Sequence, residues 1–180
     1  MISLREKYST FVFKKFTVIE DEKRINIKYE YAISEYVFTP MVSIEKSNIT
    51  NEHINKDFLN YLFFNFGIIN AINYYKLTCA KKFVIECGYL NDDQKSFFKK
   101  LFYNGLGELL YKNNLSIPYE EFVEIITTDK MYNFNVEDEF SGNLIPVGGG
   151  KDSIVTLELL KSEKQKNKCF LYKRNIYPDD

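Results

Sequence analysis

The sequence predicts a fold in two parts. An α+β domain of antiparallel strands followed by helices spans residues 1–138, and residues 139–180 open an α/β domain that is cut short. Three observations lead there. Apolar residues alternate with period two in the first third, and they recur at three-and-four spacing from about residue 50. Three consecutive glycines, Gly148 to Gly150, then separate an apolar run from an amphipathic one, in a chain with only 8 glycines among 180 residues. Glycine runs at a strand-to-helix junction let backbone approach another group closely.

The elements follow in order. In RINIKYEYAI, Ile25, Ile27, Tyr29, Tyr31 and Ile33 alternate with Asn26, Lys28, Glu30 and Ala32, which places one set on a core face. TFVFKKFTVIE before it and SEYVFTPMVSI after it are its expected partners. The short charged link EDEK suits a hairpin, and Pro40, lacking an N–H, ends or edges the third strand. Phe58, Leu59, Leu62, Phe63 and Phe66 predict a helix burying one aromatic stripe, with Gly67 as its stop. KKFVIEC reads as a short buried strand.

NDDQKSFFKKLFYNGLGELLYKNN reads as a further helix, capped by Asn91 or Asp92, with Phe98, Phe102, Leu106 and Leu110 on one face. Gly105 and Gly107 within it each cost about 1 kcal/mol relative to alanine, so they imply a close approach by a neighbour or a substrate. YEEFVEIIT after Pro118 predicts a third helix. The acidic NVEDEFSGN marks the boundary between the two parts. Beyond it, NLIPV reads as a buried strand and DSIVTLELLKSEK as a helix. Ile154, Leu157, Leu160 and Val155 share one side of that helix, and Asp152 or Ser153 stands at the N-cap position. KCFLYKR closes the chain as one more strand.

Composition excludes several functions. The 24 basic and 25 acidic residues nearly cancel, which leaves no basic excess for a generic nucleic-acid surface. Cys79, Cys87 and Cys169 are widely spaced, and His53 is the one histidine, so a zinc site is not expected and free thiols in a reducing compartment are. The N-terminus has no signal-peptide core. The apolar run from Tyr61 to Ile72 is interrupted by Asn65, Gly67 and Asn70 and is too short to span a bilayer. A cytoplasmic protein, with neither nucleic acid nor membrane as partner, is the expectation.

The glycine loop carries the chemistry. A strand, a glycine turn and a helix start present unpaired amides that bind phosphate well. Lys151 adds a positive charge and Ser153 a hydroxyl. The Walker A pattern fails, because Asp152 follows Lys151 and Ile145 stands where the first glycine belongs. The GxGxxG pattern fails at Ser153. A tight turn that happens to be glycine-rich is the plain alternative.

Gly149-Gly150-Lys151-Asp152-Ser153 resembles the PP-loop of the ATP pyrophosphatase superfamily, Ser-Gly-Gly-x-Asp-Ser after the first strand of a Rossmann-like sheet, with Gly148 replacing the first serine. The resemblance implies ATP and Mg²⁺ as cofactors. The nucleotide-binding residues would be Gly148 to Ser153: the amides of Gly149 and Gly150 and the Ser153 hydroxyl would hold pyrophosphate, Lys151 would offset its charge, and Asp152 would order the loop or help hold magnesium.

A narrower resemblance covers roughly residues 70–160. Tyr74-Tyr75-Lys76, Gly105-Leu106-Gly107-Glu108 and the triple-glycine loop are similar to elements of the UDP-N-acetylmuramoyl-L-alanyl-L-glutamate epimerase family. That resemblance implies ATP-dependent inversion of the terminal L-Glu to D-Glu through an acyl adenylate, in peptidoglycan precursor synthesis, with a nucleotide-sugar dipeptide as substrate. Adenylation removes the carboxylate charge that would oppose a carbanion at the neighbouring Cα. Tyr75, Lys76 and Glu108 are the substrate-binding candidates, and no acid–base pair is assigned.

About 40 residues cannot build a complete nucleotide domain, so the chain is expected to be a fragment, a truncated product or half of a split protein. The missing C-terminal half is then a candidate partner. Another PP-loop ligase, or a non-catalytic module with a vestigial loop, stays open beside the epimerase.

Overall fold

The period-two segments fold as strands of one six-stranded sheet. In the computed structural model, which describes residues 2–48, 55–133, 142–161 and 167–171, the chain divides into two compact units, Met1–Asn135 and Val136–Asp180. The first unit holds strands β1 (Thr10–Glu20), β2 (Arg24–Ile33), β3 (Tyr36–Phe38), β4 (Met41–Glu45), β5 (Lys82–Ile85) and β6 (Glu124–Thr127). Their order is β3-β2-β1-β5-β6, with β4 also pairing β2.

β1 and β2 pair antiparallel from Phe11↔Ile33 to Glu20↔Ile25, with a bulge between Phe13 and Lys15. Asp21 closes their hairpin by accepting the amides of Lys23 and Arg24, both at 2.8 Å. The expected third strand is two strands, because Pro40 interrupts it and both halves pair with β2. The sheet is mixed rather than antiparallel throughout. β1 runs parallel to β5 from Thr10↔Lys82 to Phe13↔Ile85, and β5 runs parallel to β6.

Ile25, Ile27, Tyr29, Tyr31 and Ile33 are all buried, as the alternation predicts. Helix α2 (Lys56–Tyr75) packs on them, and its own backbone accepts their phenols: Tyr29 donates to the Phe63 carbonyl at 3.1 Å and Tyr31 to that of Gly67 at 2.7 Å. Gly67 is therefore no stop. It lies in the middle of α2, where a Cβ would sit 2.6 Å from the Phe13 ring and 2.7 Å from that of Tyr29. The buried face also differs from the expected stripe. Phe63, Phe64, Gly67, Ile68, Ala71 and Tyr75 point inward, while Leu62 and Phe66 are exposed. The helix turns to bring its one side-chain-free position against the rings.

Asn91 caps α3 (Asp92–Gly105) in a reciprocal capping box with Gln94. The expected single helix is broken at Leu106, whose φ of −100° and ψ of 7° leave the helical region, and α4 (Gly107–Lys112) follows. Phe98, Phe102, Leu106 and Leu110 are buried across the break. Gly105 faces Ile72 Cδ1, 3.3 Å from an added Cβ, whereas nothing lies within 4 Å of one at Gly107, so the close approach exists at the first glycine alone. The helix expected over residues 119–127 stops after one turn, α5 (Tyr119–Phe122). Its second half is β6, where Ile125, Ile126 and Thr127 suit a pleated strand beside β5.

Arg5, in α1 (Ile2–Lys7), is buried and fastens the far side of this unit. Its guanidinium donates to the carbonyls of Cys79, Glu121 at 2.7 Å and Phe122 at 2.9 Å.

The second unit contains β7 (Asn143–Pro146), α6 (Lys151–Leu160) and β8 (Asn167–Phe170). β7 and β8 pair in parallel from Asn143↔Asn167 to Pro146↔Phe170, with α6 as the connecting helix. Ile145 is the one buried apolar residue of this unit among those described. Of the expected apolar side of α6, Leu157 and Leu160 are half-buried, whereas Ile154 and Val155 are exposed. Most of the acidic boundary segment, and His53, lie outside the described residues. Among the described residues no helix is long and apolar enough to cross a membrane, and no group of three or more His, Cys, Asp or Glu could hold a metal ion.

Candidate functional site

The glycine loop leaves β7 at Val147, whose amide is held by the Phe170 carbonyl at 2.8 Å. Gly148, Gly149 and Gly150 then pass to α6 with no described residue within 4 Å of an added Cβ at any of them. Gly149 has a φ of +77°, a left-handed conformation that glycine adopts without cost. The N-cap is Gly150, not Asp152 or Ser153, and no side chain caps the helix. Asp152 and Ser153 lie in the first turn instead. The Ser153 hydroxyl donates back to the Gly150 carbonyl at 2.8 Å, and Thr156 donates to the carbonyl of Asp152. Gly148 to Asp152 are exposed and Ser153 is half-buried.

An uncapped helix start beside three unobstructed glycines has the donors a phosphate needs, with the positive end of the helix dipole behind them. These residues fit a phosphate-bearing ligand, with Lys151 in the same turn to balance its charge.

The other candidates separate. Tyr75 is wholly buried, its ring against Phe102 at 5.3 Å and Phe11 at 5.8 Å, and its hydroxyl donates to the Ala80 carbonyl at 2.8 Å. Burial holds its phenol well above the ordinary range. Its place is in the packing of the core. Lys76, the next residue, is exposed and lines a cleft of about 450 Å³ together with Glu108, Gly105, Asn73 and Lys112. The fold thus brings together Lys76 and Glu108, 32 residues apart in sequence. Glu108 already pairs with Lys112 at 2.5 Å, an i,i+4 pair exposed to solvent.

A larger cleft, about 570 Å³, went unnoticed in the sequence. It lies where the parallel strands end. Cys87 follows β5, Lys130, Met131, Tyr132 and Asn133 follow β6, and Lys15 to Val18 continue β1 beyond its pairing with β5. Tyr132 donates to the Cys87 carbonyl at 2.9 Å, and Lys130 lies 5.9 Å from the Tyr132 ring centre. Burial pushes the Cys87 thiol up to about 12, so it serves as an apolar wall rather than a nucleophile. The usable signal was positional: polar residues directly after parallel strands gather at one end of a sheet.

Fold and loop together define a class, an α+β protein whose chain carries a triple-glycine loop on a strand–helix–strand unit. The family is narrower. The sequence model of the MurL N-terminal domain matches residues 3–176, across both units, and the chain belongs to that family, the N-terminal domain of UDP-N-acetylmuramoyl-L-alanyl-L-glutamate epimerase. This is the family to which the three short motifs pointed. Searches of curated proteins and of solved structures gave no match.

Proposed function

We propose that this chain supplies the N-terminal domain and the ATP loop of an epimerase that inverts the terminal L-Glu of UDP-N-acetylmuramoyl-L-Ala-L-Glu to D-Glu, in peptidoglycan precursor synthesis. Membership of the MurL N-terminal domain family, over residues 3–176, carries the reading. The uncapped start of α6 and the unobstructed Gly148–Gly150 turn support the assignment of ATP to this loop.

In that reading ATP activates a substrate carboxylate as its adenylate, which lowers the barrier to removing the adjacent Cα proton. The amides of Gly149 and Gly150 and the Ser153 hydroxyl hold the departing pyrophosphate. Ser153 must then release its bond to the Gly150 carbonyl. Lys151 offsets the phosphate charge, and Asp152, in the first turn of α6, would order the loop or help hold Mg²⁺. In that reading the parallel β7–β8 pair and α6 are a strand–helix–strand unit of a Rossmann-like nucleotide site. The reaction belongs to the cytoplasm, where ATP and nucleotide-linked precursors meet.

The test is pyrophosphate release from ATP with and without the L-Glu substrate, using this chain and a complete epimerase of the family carrying the same loop. Release that requires the substrate, and that falls about tenfold in Lys151→Ala of the complete enzyme, is expected for a lost charge-assisted phosphate contact. Substrate-independent release, or none from the folded complete enzyme, would sink the epimerase reading.

A further inference from the structure

The outward face of α2 is built like an interface. From Phe58 to Tyr75 the helix carries no charged side chain, and its polar residues there are asparagines and tyrosines. α3 beside it has the composition of a solvated helix, with Asp92, Asp93, Lys95, Lys99 and Lys100. Yet α2 is not buried all round. Leu62, Phe66 and Ile69 are exposed and Asn73 follows them, at spacings of four, three and four. That is the spacing with which one helix packs along another, and a single asparagine in such a seam fixes its register.

α3 widens this face. Gln94 Nε2 donates to the Tyr61 hydroxyl at 3.0 Å, and Gly105 faces Ile72, so the same offset in sequence recurs at both ends and the two helices lie side by side and parallel. That offset sets Phe97 and Leu101 of α3 level with residues 64 and 68 of α2, and both are exposed. The five apolar side chains are 38–61% exposed. With an aromatic side chain counted at about 150–250 Å², they leave roughly 500 Å² open. Two such faces closing on each other bury roughly 1,000 Å² of side chain before the asparagines are added, which reaches the size of a specific interface.

The face also suits itself. With no charge along α2, a second copy meets no like-charge repulsion there. An asparagine amide carries both donor and acceptor, so Asn65 and Asn73 can pair with the same residues of a copy. We infer that this α2–α3 face joins two copies of the chain in a symmetric dimer, helix against helix, with Leu62, Phe66 and Ile69 at its centre. The inference is independent of the epimerase reading.

The test is sedimentation equilibrium of the whole chain over about 1–100 μM. A monomer–dimer equilibrium is expected, with a dissociation constant on the order of micromolar for an interface at the small end of the specific range. Leu62→Lys and Ile69→Lys should each raise that constant by about a hundredfold or more, because two-fold symmetry places each substitution in the interface twice. Both positions are exposed, so circular dichroism and the urea midpoint should match those of the parent; if either variant fails that check, Phe97→Lys takes its place. Met41→Lys, on exposed surface of β4, should leave association unchanged. A monomer throughout that range, a dimer indifferent to the helix substitutions, assembly beyond two copies, or equal loss in Met41→Lys would each overturn the inference. So would a monomer whose α2 amides gain protection from exchange only in a complete epimerase of the family, since the face would then belong to another domain.

Discussion

Replacing Gly67 by alanine sets two known effects against each other. Alanine in a helix interior gains about 1 kcal/mol over glycine. The new methyl would stand 2.6 and 2.9 Å from two carbons of the Phe13 ring and 2.7 Å from one of Tyr29. Carbon contacts prefer about 3.5–4.0 Å, so the rings must retreat by roughly 1 Å. They have little room to do so. Phe13 and Tyr29 are fully buried, Phe13 also packs on Tyr31 at 5.1 Å and Phe64 at 6.2 Å, and the Tyr29 phenol is tied to α2. Overpacking of this kind costs up to about 3 kcal/mol, so the net loss is about 1–2 kcal/mol. With a urea slope of about 2 kcal/mol per molar, the unfolding midpoint should fall by roughly 0.5–1 M at unchanged slope. A midpoint equal to or above that of the parent protein would refute the argument, because helix propensity would then have won and the rings would have had space.

Three further outcomes are expected. Arg5→Met should destabilise the fold by about 2–4 kcal/mol in the same assay, since the carbonyls of Cys79, Glu121 and Phe122 lose their buried donor, and Arg5→Lys should recover only part of that loss. Alkaline pH should unfold the protein: burial raises Tyr29, Tyr31, Tyr75 and Tyr132 above the ordinary 10.0 and Cys87 from 9.0 to about 12. These groups favour the fold only while neutral, so their contribution is complete below pH 9 and is lost as pH rises toward and beyond 12; tyrosinate absorbance should rise together with loss of circular dichroism. A thiol reagent near pH 8 should modify exposed Cys169 rapidly and buried Cys79 and Cys87 only as the fold opens, as thiol titration with and without urea would show.

The legible parts of the sequence were those where one local pattern decides the outcome. Period-two alternation in RINIKYEYAI, the Asn91 cap and the face running from Phe98 to Leu110 all reappear in the fold. Where a residue type answers to two competing demands, the sequence reading went astray. Gly67 resembles a helix stop, yet its lack of a side chain is used for packing, a contact made with strands about 40 and 55 residues earlier. Residues 123–127 carry both a helix-like spacing and β-branched side chains, and an open position beside β5 decided for the strand. The strand and helix on either side of Gly148–Gly150 were legible because those residues are contiguous. Lys76 and Glu108, and Lys15 and Lys130, come to line common clefts only through tertiary structure, and Tyr75, adjacent to Lys76, is buried in the core.

Among the described residues Ile145 is the one buried apolar side chain of its unit, whereas the first unit has a continuous aromatic core. That contrast sets how amide hydrogens should exchange with solvent. Amides of β1, β2 and β5 should exchange only through global opening, and those of β7 and β8 through cheap local opening. Any ligand at Gly148–Ser153 then binds a segment with little buried apolar surface behind it among the described residues. Its measured affinity therefore includes the work of closing that segment, and slowed exchange at β7 and α6 becomes a direct gauge of occupancy.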